Sequence, residues 1–258
     1  HEPRGRPRDV GTQEVSEDRT RPAFYAARPG GWRDWWTVLH PPYTAWHLSY
    51  VVVGACLAPV VGLGRLLATL LAFFLAVGVA AHAYDELQDR PLRTGIPSWA
   101  LVTACVAGLS GALVLGIFGV LKVGPVLVPF LVVGPLLVVA YNADLFGGIF
   151  HTDLGFALSW GAFPVLTAYV AQAADLSWGA VLAAAGATAL SLAQRALSTP
   201  ARRLRRKVVD VEGVVVVADG SHDRIDRDSL LAPLERGLRT LAWGVIFLAA
   251  GLAVFRLG

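Results

Sequence analysis

Residues 66–84 read LLATLLAFFLAVGVAAHAY and run straight into Asp85-Glu86-Leu87-Gln88-Asp89-Arg90. The stretch carries no formal charge, and its 19 residues match the roughly 20 that a helix needs to cross about 30 Å of hydrocarbon. The charged residues that follow mark where the helix leaves the lipid. The same pattern recurs, giving predicted spans at about 46–63, 66–84, 98–120, 124–142, 154–172, 178–197 and 238–256. Composition agrees: of 258 residues, 55% are hydrophobic and 16% charged, and the mean hydropathy is +0.56, which disfavours a water-soluble domain. The predicted fold class is therefore all-α, a polytopic integral membrane bundle of about seven transmembrane helices. Pro125, Pro129 and Pro135 make the fourth span irregular, which membrane helices tolerate where neighbours satisfy the freed carbonyls. Cys56 and Cys105 both sit inside apolar runs and read as small buried hydrophobes.

Two segments precede the first span. Residues 1–23 mix Arg4, Arg6, Arg8, Arg19 and Arg21 with acids, Pro and Gly, the composition of a disordered tail. Residues 24–40 set Trp32, Trp35 and Trp36 around Arg33, a mixture suited to a bilayer interface. No charged start with a short apolar core is visible, so the first span is expected to persist in the mature protein. If the N-terminus is cytoplasmic, seven spans put nineteen of the 22 Lys and Arg residues on that side and leave only Arg65, Lys122 and Arg256 elsewhere. That division is a strong positive-inside signal and predicts a bacterial cell-membrane protein with a cytoplasmic N-terminus. The net charge of +3 and the pI near 9.1 then follow from topology and anionic lipid, so no nucleic-acid partner is expected.

The stretch 199–235 reads as one sizeable cytoplasmic loop. Arg202, Arg203, Arg205, Arg206 and Lys207 open it; a valine run at 214–217 and the turn Ala218-Asp219-Gly220-Ser221 point to a short hairpin. Two readings of the basic cluster stay open: an electrostatic anchor to the inner leaflet, or a phosphate clamp, since arginine forks match phosphate oxygens.

Polar residues collect at one end of the spans. Asp85, Glu86, Asp89, Asp144 and Asp153 lie there with His40, His47, His82, Asn142, His151, Gln194 and Arg195. Polar side chains at membrane depth are costly and usually face a cavity, although any membrane helix must also become polar where it exits. At the second exit the spacing 82, 85, 89 predicts one helical face for His82, Asp85 and Asp89, with Glu86 alongside. Two carboxylates one turn apart would suit Mg²⁺, which keeps waters and bridges to substrate phosphates. His82 is a candidate ligand or base.

The segment His82-Ala83-Tyr84-Asp85-Glu86-Leu87-Gln88-Asp89 resembles the first aspartate-rich motif, Asn-Asp-x-x-Asp-x-x-x-Asp, of the UbiA superfamily of intramembrane prenyltransferases. Asp85 and Asp89 match its last two acids, while Ala81 and His82 stand for its Asn-Asp. Tyr141-Asn142, then His151-Thr152-Asp153-Leu154-Gly155 and Ser159-Trp160-Gly161, look like the family's tyrosine loop and the start of its next helix. The order of features agrees over roughly residues 35–200, within a UbiA-like membrane domain drawn at 24–258. At the sixth span the text is Ser191-Leu192-Ala193-Gln194-Arg195-Ala196-Leu197-Ser198, so Gln194 and Ser198 occupy the acidic positions of a second motif. The family usually has nine spans where seven are predicted here.

The resemblance implies a prenyltransferase that moves an isoprenyl group from a polyprenyl diphosphate to an acceptor with help from Mg²⁺. His82, Asp85, Asp89 and Asp153 are then the expected catalytic residues, with the metal on Asp85 and Asp89. Tyr84, Tyr141, Asn142, Gln194, Arg195 and Arg202 are the expected substrate contacts. A related terpene cyclase and a non-catalytic protein that binds lipid or stabilises a complex are the alternatives. Expected partners are a prenyl diphosphate or other isoprenoid and the membrane lipids. A transporter is disfavoured, because no polar residues recur near the midplane of several spans and no repeat relates the halves. A histidine-rich oxidase is disfavoured too, since no two histidines fall at i, i+3 or i+4.

Overall fold

The computed structural model describes residues 21–143, 145–148 and 152–258; Asp144, His151 and most of the predicted tail lie outside them, as does the side chain of Asn142. Among the described residues there are eight helices and one hairpin. They run α1 (Trp32–Val38), α2 (Pro41–Leu57), α3 (Leu63–Leu87), α4 (Ser98–Val123), α5 (Val128–Asn142), α6 (Asp153–Ala173), α7 (Trp178–Arg206), β1 (Gly213–Val216), β2 (His222–Ile225) and α8 (Arg227–Leu257). Five of these, α3, α4, α6, α7 and α8, are long and apolar enough to cross a membrane; the segment Pro125–Tyr141 is apolar but shorter. The molecule is an all-α bundle of membrane character.

α2 is the centre. Pro41 and Pro42 start it, since a helix's first turn has no use for their missing N–H groups, and it packs against α6 and α8. Trp46, Val51 and Ala55 are fully buried. In lipid, apolar burial gives little drive for helices to associate, so close packing has to supply it. Gly54 shows how: a Cβ there would collide with the Val165 carbonyl of α6, and only glycine lets the two backbones cross so near.

Two helices carry π-wound stretches, Phe74–Ala81 in α3 and Leu158–Ala162 in α6. Such segments add a residue to the turn and free a carbonyl from the regular ladder. In the second of them the Trp160 carbonyl meets His47 Nδ1 of α2 at 2.9 Å.

The stretch drawn as a loop at 199–235 is shorter than expected. α7 runs on to Arg206 and α8 begins at Arg227, leaving residues 207–226 for the connection. Ala196, Leu197, Ala201, Leu204 and the arginines are strong helix formers, which carries α7 past the end of its apolar text despite Pro200. Asp226 starts α8 with a capping box shared with Ser229. Between them β1 and β2 pair antiparallel, Val214 opposite Arg224 and Val216 opposite His222.

Candidate functional site

The carboxylates after α3 do not share a helical face. α3 ends at Leu87: Gln88 turns extended, and Asp89 and Arg90 take left-handed backbone at φ 52° and 48°. Pro91 and the turn it starts leave no room for a further helical turn. The predicted i, i+3, i+7 alignment of His82, Asp85 and Asp89 therefore stops after Asp85, and Asp89 is exposed outside the cavity that Asp85 lines.

Glu86, expected beside the acids, is fully buried with a structural task. Its carboxylate accepts from Leu92 N–H (2.9 Å), Thr94 N–H (3.0 Å) and the Thr94 hydroxyl (2.8 Å), folding the loop back on the helix end. Asp34 braces the same loop from α1 by accepting from Gly95 N–H at 3.0 Å. Tyr84 also points away from the expected site: it packs with Val38, Leu92 and Ile96.

A cavity of about 270 Å³ lies where the polar ends of α3, α6 and α7 meet the start of α2. Of the expected site residues, His82, Asp85, Tyr141, Gln194, Arg195 and Arg202 line it; Asp89, Tyr84 and Asp153 do not. Asp153 reaches it indirectly, accepting from Arg195 Nε at 2.8 Å, while the guanidinium of Arg195 lies 5.1 Å above the Phe156 ring. That acid is well exposed, so the pair contributes less than about 1 kcal/mol. Among the described residues no group of three or more His, Cys, Asp or Glu side chains stands where it could share a metal ion.

The cavity's charge comes from α7. Gln194, Ser198 and Arg202, four residues apart, fall on one face that turns inward, and Arg205 and Arg206 follow. Arg205 is committed: it makes a two-pronged pair with Glu235 of α8, and both side chains are buried. Arg206 donates to the Pro22 carbonyl at 3.2 Å. Arg202 faces the cavity and, among the described residues, donates one long hydrogen bond, 3.4 Å to the Thr199 hydroxyl.

Several wall residues lie outside the set read from sequence. Residues 22–25 form part of the lining, where Tyr25 packs against His40 and Tyr43, and Arg239 stacks on Phe24. Burial pushes the Tyr25 hydroxyl well above its ordinary range. His40, held left-handed at φ 47°, has its ring 4.2 Å from that of His82; burial and then the neighbouring His82 keep it neutral, well below 6.5. Two buried polar atoms at this cavity, His40 Nε2 and Gln194 Oε1, lack a hydrogen-bond partner among the described residues. Orphaned buried polar atoms are rare and call for an explanation, and a bound polar ligand would supply one. No local signal in the sequence announces Tyr25 or Tyr43; the freed turn at His40-Pro41-Pro42 is the only hint that the chain reverses there.

A second cavity, about 650 Å³ and mostly apolar, lies between α3, α4, α5 and α6. The two share Val77 and Trp160 as lining, and these residues come from the two π-wound stretches. A cationic chamber thus abuts an apolar one at these two residues. Comparison of the chain with models of known protein families, with curated proteins and with solved structures finds no match.

Proposed function

We propose that the protein binds the phosphate or diphosphate head of an isoprenoid lipid in the cationic cavity and acts as a UbiA-like membrane prenyltransferase, with seven of its helices, α2 to α8, crossing the bilayer. The observation that carries this reading is the contact of the two cavities at Val77 and Trp160, which offers one amphiphile a charged end and an apolar end. Arg202 and Arg206 supply the positive charge, and Arg195 stands beside them. Ionisation of an allylic diphosphate builds negative charge on the leaving group, and fixed guanidinium groups in a partly dry cavity stabilise it. Tyr141 and Trp160, in edge-to-face contact at 5.9 Å, present rings beside the shared wall, where an allylic cation would form.

Mg²⁺ held by Asp85 and Asp89 fits this geometry poorly, because the helix ends between the two acids and only Asp85 faces the cavity. Gln194 and Ser198 in place of acids also favour a second reading, in which the protein binds the lipid without transforming it.

The test is binding of geranylgeranyl diphosphate and monophosphate to the purified protein in nanodiscs, with and without Mg²⁺. Arg202→Ala is expected to weaken binding about ten- to a hundredfold, the worth of one charge-assisted contact. A parent protein that binds neither compound would overturn both readings. Binding with no product across a panel of alcohol and aromatic acceptors would favour the non-catalytic one.

A further inference from the structure

We infer that residues 21–26 form a strap that closes on a diphosphate held in the cationic cavity, and that Tyr25, carried by this strap, is one of the diphosphate's hydrogen-bond donors. This rests on the head-group reading above and adds to it a part of the chain remote from α7 in sequence.

The strap is anchored at one end and latched along the rest of its length. Its anchor is α1: Ala27 N–H donates to the Thr37 hydroxyl at 3.0 Å, and Gly30 N–H donates to the Asp34 carboxylate at 2.9 Å. Residues 21–26 themselves form neither helix nor strand, and one backbone bond, Ala26 N–H to the Ala23 carbonyl at 3.1 Å, ties them internally. What holds them to the cavity comes from elsewhere in the chain. Arg206 Nε donates to the Pro22 carbonyl at 3.2 Å and Arg205 to the Arg21 carbonyl at 3.5 Å, while Arg239 lies 5.0 Å from the Phe24 ring. The Tyr25 ring rests 5.3 Å from that of His40 and 5.5 Å from that of Tyr43. A segment without a ladder, held by a few such contacts, opens at a fraction of the cost of global unfolding.

Charge sets the direction of the coupling. Arg202 and Arg206 stand one turn apart on α7, and neither is in an ion pair with a described residue. Like charges at that spacing repel. Among the described lining residues Glu235 is taken up by Arg205, which leaves Asp85 to face Arg195, Arg202 and Arg206. A diphosphate between Arg202 and Arg206 removes the repulsion that works against the bond from Arg206 to Pro22, so the anion tightens the latch.

Tyr25 adds a second tie. It lines the cavity together with Tyr43, and neither hydroxyl makes a hydrogen bond to a described residue, although buried tyrosines usually find a partner for theirs. Burial keeps the Tyr25 hydroxyl protonated and therefore a donor. Its bond to a diphosphate oxygen is charge-assisted and stronger than a bond between neutral groups. Tyr43 belongs to α2 and stays where it is; Tyr25 lies three residues from Pro22, so an anion that engages both Arg206 and Tyr25 holds the strap at two points.

The experiment follows trypsin cleavage after Arg21 and Arg28 by mass spectrometry, alongside ligand binding, on the full chain in phosphatidylcholine nanodiscs. Saturating geranylgeranyl diphosphate is expected to slow cleavage about tenfold or more, and uncharged geranylgeraniol to leave it unchanged. Inorganic pyrophosphate separates the two sources of the anion: protection by it assigns closure to any diphosphate, and protection by the lipid alone assigns it to a lipid head. Tyr25→Phe keeps the ring contacts and loses the hydroxyl. Its cleavage without ligand should match the parent's, its affinity for geranylgeranyl diphosphate should fall about tenfold, and its protection should shrink. Diphosphate that binds the parent while cleavage stays unchanged, or geranylgeraniol that protects as well as the diphosphate, would overturn the strap and leave the head-group reading intact. Tyr25→Phe that binds and is protected like the parent would overturn the part given to Tyr25. If neither diphosphate binds, the strap and the head-group reading fall together.

Discussion

The ends of α3 and α7 approach the same cavity from two sides, and each carries a cluster of polar residues conspicuous in the sequence. α3 stops at Leu87, so Asp85, Glu86 and Asp89 go to three places: the cavity, a buried loop brace and the surface. α7 continues for twelve residues past Gln194, so Gln194, Ser198 and Arg202 stay in line and arrive together. A polar motif converges on a site only where its helix persists through it. The chamber is cationic because the basic helix outlasted the acidic one.

The largest effect should come from breaking what holds the end of α7. Arg205→Ala leaves the Glu235 carboxylate buried without its partner and is expected to cost about 3–5 kcal/mol. Thermal unfolding in detergent measures it. Arg205→Met combined with Glu235→Leu should recover most of the loss, and a double change as unstable as the single would show that the pair does more than satisfy itself.

Next comes the brace at α3. Glu86→Ala orphans the Leu92 and Thr94 N–H groups and should lower stability by about 1–3 kcal/mol, with residues 88–97 becoming protease-sensitive. Asp89→Gly is the contrast on the same turn. At φ 52° an exposed aspartate gains little from its side chain, so the change should move stability by less than about 1 kcal/mol and leave Mg²⁺-dependent binding as in the parent. A loss of Mg²⁺ dependence in Asp89→Gly would restore the paired-acid reading that the backbone disfavours.

A pH titration probes the wall between the two ends. His40 is buried and neutral in the folded protein, whereas in the unfolded chain it protonates near 6.5. Below that value the unfolded state takes up a proton that the native ring refuses, so stability should fall as the pH drops through 6.5. His40→Gln should flatten this part of the profile relative to the parent, as read by melting temperature between pH 7.5 and 5. The smallest effect is expected from Asp153→Asn, less than about 1 kcal/mol, because its bond to Arg195 is largely in solvent.

The membrane character and the rough positions of the helices were legible because hydropathy varies on the scale of a whole span. Helix ends were not. Nothing in the apolar text of residues 178–197 says that Ala201 to Arg206 stay helical, and the acids after Tyr84 read as a continuing helix until Gln88 and Pro91 break it. Arg202, Gln194, Tyr141 and Asp85 could be listed as site residues, since polar groups at a span's end are few. His40, Tyr25 and Tyr43 reach the cavity only through the fold of residues 21–43, a long-range packing event that local patterns do not encode.

The π-wound stretch at Phe74–Ala81 sets the phase of everything beyond it. Were the same residues wound at regular pitch, His82, Asp85 and Glu86 would rotate by about 100° relative to Leu66 and Phe73. Asp85 would swing out of the chamber and Glu86 off its loop, although no residue of either had changed. A one-residue deletion at Val79 is therefore a different kind of lesion from any substitution there: it removes the residue that the wide turn absorbs, so the helix can straighten with Asp85 and Glu86 still in place.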